Sequence, residues 1–442
     1  MPGSRCCGMS PPSGSINASA QTWGARVLIG SPSAVGTSGQ VGSYASHRVV
    51  NGNPAIAYYD LAADNLVYVR ATDASGTTWG TPVIIDFNGI VGSTLSLAVV
   101  AGNPAIAYKD DSNLDLKYVR ALDANGSTWA VPVSIDVAGN VGSYPSLAEV
   151  AGNPAISYFS NTDFAIKYIR AGNFSGTVWN TPVEIETAMN TIWQHSTLLV
   201  VGGNPAISFA PVSGANTVIS YRRSTNSTGS DWAAPVTVHA VAGVNLVTPS
   251  MQIINGNPSI AYLDPTNQDL KYVRATDGSG AGWGTPITVD ATGGVGIYPS
   301  LQLVNGTPAI SYADFTNNDL KYVRSADGTG AAWNMPITLD ATGIVGTNYT
   351  SMQVVNGNPA IAYYSSTAGD LKFIRAGDAS GLGWATPPVS FDVPGATATT
   401  GTYSSTQLVN GNPAMSYYDS GTGNLIFVRA TNTQGTACKH CA

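Results

Sequence analysis

Four histidines, His47, His195, His239 and His440, are spread along the chain, and no H-E-x-x-H, G-x-S-x-G or phosphate-loop spacing accompanies them. Each therefore reads as a structural or solvated side chain. The cations are more ordered. Arg70, Arg120, Arg170, Arg223, Arg274, Arg324, Arg375 and Arg429 recur at one position of a repeat, and Lys117, Lys167, Lys271, Lys321 and Lys372 at another. Copied arginines cannot build one asymmetric catalytic cluster, and the remaining Arg5, Arg26, Arg48 and Arg222 are scattered in the repeat. Strand alternation sets each lysine opposite Tyr and Arg, where it is expected to solvate an edge.

Hydroxyl, aromatic and acidic side chains also recur in register. Tyr44, Thr94, Tyr144, His195, Thr248, Tyr298, Tyr349 and Tyr403 stand at one position, followed two residues on by Ser46, Ser96, Ser146, Thr197, Ser250, Ser300, Ser351 and Ser405. One acidic set is Asp60, Asp110, Asp264, Asp314 and Asp419; a second, with one His, is Asp86, Asp136, Glu186, His239, Asp290, Asp340 and Asp392. Aromatic faces with carboxylates and hydroxyls suit sugars, and carboxylates with loop carbonyls suit Ca²⁺. The plainer reading is that Asp60 and its equivalents cap loops, while the serines satisfy backbone groups.

The elements that position these residues come from the repeat itself. A G-N-P-A string or close variant returns about every fifty residues, with Pro54, Pro104, Pro154, Pro205, Pro258, Pro308, Pro359 and Pro413 marking eight copies. In one copy, Val99–Tyr108 reads as two strands joined by a tight turn, which other copies write Asn51-Gly52 or Asn255-Gly256. A third strand follows at Leu116–Ala121, then a turn at Asp123–Thr128, then Trp129 and a fourth strand at Val131–Asp136. Four antiparallel strands repeated at this period predict an all-β, eight-bladed propeller. The chain ends after a third strand, Leu425–Ala430, so the orphan strand Trp23–Gly30 is expected to complete the last blade and close the ring. Residues 23–430 form the propeller, with tails at 1–22 and 431–442.

The turn between third and fourth strands resembles the Asp-box of sialidase-like (BNR) propellers. The residues concerned are Asp73 with Trp79, Asp123 with Trp129, Asp277 with Trp283, Asp327 with Trp333, and Asp378 with Trp384; Asn173, Asn226 and Asn432 replace the Asp elsewhere, and Cys438 stands where the last Trp is expected. Relative to that motif there is one extra residue between Asp and Trp. The resemblance implies a structural turn on the face away from the active site. Sialidases also use an arginine triad, a Tyr–Glu nucleophile pair and an acid/base Asp, and the arginines here do not fit that pattern.

The net charge is −7 without a basic cluster, which argues against nucleic acid as a partner. No apolar run is long enough to span a bilayer, and the first twenty residues lack the apolar core of an export signal. Against that, low charge with many Tyr, Ser, Thr, Asn and Gly matches exported β-proteins, so an extracellular or cell-surface location is expected. Cysteines occur only in the tails. Cys6, Cys7, Cys438 and Cys441 read first as free thiols on polar ends, next as a clasp between the tails, and last as a metal site. The functional expectation is a non-catalytic, monomeric, cofactor-free module binding glycans through several equivalent weak sites. A structural or protein-interaction propeller is the alternative, and a sialidase-like glycosidase the third reading.

Overall fold

The computed structural model describes residues 23–30, 41–187, 196–213, 216–243, 249–384, 388–390, 400–419 and 423–431. The tail cysteines, His195, Thr248, Asp392 and Asn432 lie outside these residues. Described residues are strands, bridges, turns and bends, without helix. They build eight antiparallel sheets. The first blade consists of Val41–Val50, Asn53–Asp60, Asn65–Arg70 and Val83–Asp86, from the innermost strand to the outermost. The fourth blade departs from this plan, carrying an additional short strand, Val212–Ser213, that pairs with Asn216–Arg223.

Ring closure occurs as expected. Val27–Gly30 pairs antiparallel with Asn424–Arg429, and Trp23 forms a single bridge to Ala430. The N-terminal end thus supplies the outermost strand of the blade whose other three strands come from the C-terminal end.

Two strand boundaries differ from the sequence reading. The tryptophans do not open a continuous fourth strand: Trp79 bridges Ala71 alone, and the ladder resumes at Val83. Pro82 and its equivalents lie in the gap, where they withhold the N–H that an uninterrupted ladder needs. In the opposite sense, several inner strands begin earlier than the tyrosine position. Val295–Val304, for example, contains bulges between Val295 and Ile297 and between Ile297 and Ser300.

Each seam between blades holds an apolar core. The first combines Val50, Leu66 and Tyr68 of one blade with Leu97, Ile106, Tyr108 and Val119 of the next. The Asx turns dock across these seams. Asp73 accepts hydrogen bonds from the backbone N–H groups of Ser75 at 2.8 Å and Thr78 at 2.7 Å, while Trp79 Nε1 donates to the Gly76 carbonyl at 2.9 Å. The Trp ring then meets a third-strand aromatic of the preceding blade edge to face. Tyr118 and Trp179 have centroids 4.9 Å apart at 67°, and Tyr221 and Trp283 are 5.3 Å apart at 64°. Trp23 on Phe373, at 4.9 Å, makes the same contact where the ring closes.

The glycine in this turn permits the approach. Gly176 has φ of +69°, and a Cβ placed there would stand 2.2 Å from Cε1 of Tyr118. Gly152, with φ of +76° on a hairpin tip, would meet nothing within 4 Å. Gly176→Ala is therefore expected to destabilise the protein by ~2 kcal/mol more than Gly152→Ala, since only the first adds overpacking to backbone strain. Thermal unfolding of the two variants side by side checks this, and equal losses would refute the seam role of Gly176.

Candidate functional site

The innermost strand of every blade is an edge strand, so its unpaired backbone groups must find partners at the channel or remain open to it. The serine ring supplies them. Leu97 N–H donates to Ser46 Oγ at 3.2 Å and Leu147 N–H to Ser96 Oγ at 3.2 Å; Leu301 N–H donates to Ser250 Oγ at 3.1 Å and Met352 N–H to Ser300 Oγ at 3.1 Å. Each hydroxyl thus accepts from the next blade and retains its own proton to donate elsewhere.

Of the aromatic ring, Tyr144 and Tyr298 are described with their side chains, both half-buried, at φ of 51° and 49°. Left-handed backbone is unusual for a bulky residue, and both lie within the strand bulges. The side chains of Tyr44, Tyr349 and Tyr403 fall outside the described residues. Tyr298 borders a cavity of about 400 Å³ reaching from Thr197 of the fourth blade to Gln353 of the seventh. Its wall carries Ser250, Ser300 and Ser351, with Gln252, Gln302 and Gln353 two residues further along their strands, and no lining residue is charged.

That glutamine position has a one-sided occupancy. Around the ring it is held by Arg48, Ala98, Ala148, Leu199, Gln252, Gln302, Gln353 and Gln407, all half-buried. Five adjacent polar residues face three adjacent apolar ones. Arg48 donates from Nη1 to the His47 carbonyl at 2.9 Å and makes no ion pair among the described residues. Burial lowers its pKa from the usual value. Sequence reading set Arg48 aside as scattered and passed over the glutamines because it ended at the serines, although counting two residues onward would have joined them.

Among the described residues, most members of the two acidic sets cap loops or join blades. Asp110, Asp264, Asp314 and Asp419 are buried, whereas Asp60 is half-buried. Asp110 Oδ1 accepts from Ser112 and Asn113 N–H, and Asp60, Asp264 and Asp314 cap their loops in the same manner. The outer-strand acids lock one blade to the next: Asp86 accepts from Tyr108 Oη at 2.6 Å and Lys117 Nζ at 2.6 Å, as Asp290 does from Tyr312 at 2.7 Å and Lys321 at 2.6 Å. His239 replaces the acid in the fourth blade and meets Tyr262 Oη at 2.7 Å. The lysines expected to solvate an edge are in fact largely withdrawn from solvent, with Lys117, Lys167 and Lys321 buried. They turn toward the carboxylates because a desolvated ammonium needs a counter-charge.

The repeated arginines are equally committed. Arg70 Nε donates to the Val50 carbonyl at 2.9 Å and Nη2 to the Asn51 carbonyl at 2.8 Å, closing its own hairpin. Arg222 takes a third-strand position that is apolar in other blades and reaches across the seam to the Glu184 carbonyl at 3.1 Å. Among the described residues, no group of three or more His, Cys, Asp or Glu is arranged to hold a metal ion.

No family model matches the chain, and no curated protein matches it. Solved structures similar to it include the polysaccharide lyase Uly1, at 11% identity over 76% of this chain and 89% of that one, with a TM-score of 0.46. Oligopeptidase B from Leishmania major is similar at 11% identity over 86% and 53%, TM-score 0.49, and the NanB sialidase from Streptococcus pneumoniae at 12% over 92% and 71%, TM-score 0.38. The chain is an eight-bladed β-propeller on its own strand pairing. Sialidases stand among its low-identity structural neighbours.

One buried histidine on the first blade gives stability a pH dependence. His47 is fully buried, and it occupies a position held by Leu97, Leu147, Leu198 and Leu301 in other blades. Its ring lies edge to face on Phe427 at 5.5 Å, across the closing seam. Burial, reinforced by the Arg48 charge and partly opposed by the Ser405 backbone, pushes its pKa down to about 3. The unfolded chain then binds a proton that the native state refuses, so this contribution is complete above about pH 6.5 and is lost as pH falls toward about 3. Between pH 7.5 and pH 5 the loss from His47 alone is expected to be ~2 kcal/mol. Urea unfolding at the two pH values should show that increment in the natural protein and not in His47→Leu. An unchanged pH dependence in the variant would refute it.

Proposed function

We propose that this propeller is a non-catalytic recognition module that binds a carbohydrate in its central channel, outside the cell or at its surface. The observation carrying this reading is the neutral wall of Ser250, Ser300, Ser351, Gln252, Gln302 and Gln353 beside Tyr298. Amides and hydroxyls both donate and accept, which matches the hydroxyls of a sugar, and an aromatic ring can cover the C–H face of a pyranose. The wall holds no carboxylate, imidazole or thiol for acid–base or nucleophilic work. Because the repeated acids are spent on caps and seams, the reading is one composite site on the fifth to seventh blades in place of many equivalent ones.

A protein-binding role has its own supporting observation. On the loops opposite the Asx turns, Leu61, Phe87, Leu114, Val137 and Phe164 are exposed along the first three blades. Leu114 and Phe164 adopt φ of 63° and 50°, whereas the equivalent positions elsewhere include Asp64, Asn318 and Gly369.

Glycan-array screening followed by calorimetry tests the primary reading. Gln302→Ala is expected to weaken a retained glycan about fivefold, the worth of one hydrogen bond, and adding Gln353→Ala should weaken it further. If no glycan is retained, or the double variant binds as the natural protein does, the carbohydrate reading fails.

A further inference from the structure

Arg48 is unlike the repeated arginines and lysines of this chain, because its side chain is not used to close a hairpin or to neutralise a carboxylate. The eight arginines of the third strands are tied to hairpin carbonyls, as Arg120 is to Val100 and Ala101. The seam lysines are tied to acids, as Lys372 is to Asp340 at 3.0 Å. Arg48 has the adjacent His47 carbonyl as its hydrogen-bond acceptor, with its charge otherwise uncompensated among the described residues. A guanidinium can donate five hydrogen bonds, so considerable capacity remains.

The repeat acts as an internal control on whether folding demands this arrangement. Ala98 and Ala148 occupy the same register in the second and third blades, whose strands pair with the same geometry. Packing therefore tolerates a methyl group there. Withdrawing a cation from water without a counter-charge costs free energy, and the one hydrogen bond of the Arg48 side chain among the described residues goes to the adjacent carbonyl and joins no two blades. Arg48 also continues an arc, since Gln407, Gln353, Gln302 and Gln252 hold the same position in the four blades leading up to it.

We infer that the channel ligand is an acidic carbohydrate, with a carboxylate seated on the Arg48 guanidinium and its neutral hydroxyls read by the adjoining glutamine arc. This rests on the carbohydrate reading above and adds the charge of the ligand to it. A guanidinium presents paired donors that match the two oxygens of a carboxylate, and the pairing is strengthened by the partial desolvation of Arg48. On the second to fourth blades the same position is apolar, held by Ala98, Ala148 and Leu199, so the glutamine-and-arginine arc occupies one side of the ring.

Trigalacturonic acid and a hyaluronan tetrasaccharide, each compared with its methyl ester, provide pairs of nearly equal shape and different charge. Calorimetry with the full chain is expected to show at least one acid binding with a stoichiometry of one and at least about tenfold more tightly than its ester. Raising NaCl from 50 to 500 mM should erode that preference. Arg48→Gln, which copies the residue of four other blades, and Arg48→Ala, which copies two, should both abolish the preference while unfolding at a temperature close to that of the natural protein. Gln302→Ala should weaken acid and ester alike. Equal binding of acid and ester, or a preference that survives in both Arg48 variants, overturns this inference and leaves the carbohydrate reading standing. Binding of neutral glycans alone does the same. If neither these acids nor any glycan on the array is retained, both proposals fail.

Discussion

The edge-to-face contact between a tryptophan of one blade and a third-strand aromatic of its neighbour recurs at every seam of this ring. Trp129 meets Tyr68, Trp333 meets Tyr272, and Trp79 meets Phe427 across the boundary between first and last blades. A four-stranded sheet buries little by itself, so each blade depends on its neighbours for a core. The aromatic pair fixes how two blades meet, because the indole is held by its own turn through Nε1 while its ring is fitted against the adjacent tyrosine. Closing the circle requires an eighth such pair. Trp23 provides it, which makes the N-terminal strand a structural member of the last blade.

Around the opposite face, the Asp–Tyr–Lys groups perform a parallel task with charge. Asp86, Tyr108 and Lys117 join two blades in a buried network in which each polar group has a partner. Such a network contributes geometry more than net stability, because the cost of desolvating the ions offsets much of their attraction. It also removes most of the chain's repeated charges from the list of ligand-binding candidates. Carboxylates whose type suggests sugar or Ca²⁺ binding, such as Asp86 and Asp110, are engaged in joining blades or capping loops.

Function must then be sought where the repeat is broken. An element copied eight times and engaged at every seam is explained by architecture, whereas a position that changes from Ala98 and Ala148 to Gln302 and Gln353 without disturbing the strands is free to serve a ligand. Arg48 and the glutamine arc, which share one position of the innermost strand, meet that criterion. His47 breaks the repeat in another way, as a buried ring in place of leucine at the seam between the last and first blades.

The blade count, the strand order within blades, the closing strand and the Asx turns were legible in the amino-acid sequence. They depend on local rules: turn dipeptides such as Asn51-Gly52, period-two alternation, and a repeat whose copies must adopt one structure. The serine ring was legible for the same reason, because its spacing follows the inner strand. What local rules could not reveal was the partner of each side chain. Lys321 appears solvent-facing on its own strand, yet Asp290 lies on the neighbouring blade and draws the ammonium into the seam. Arg48 appears isolated along the chain, yet ring closure sets it at the end of an arc of glutamines. Those relationships join residues of different blades through space, and only the closed tertiary structure, which brings the two chain ends into one sheet, decides them.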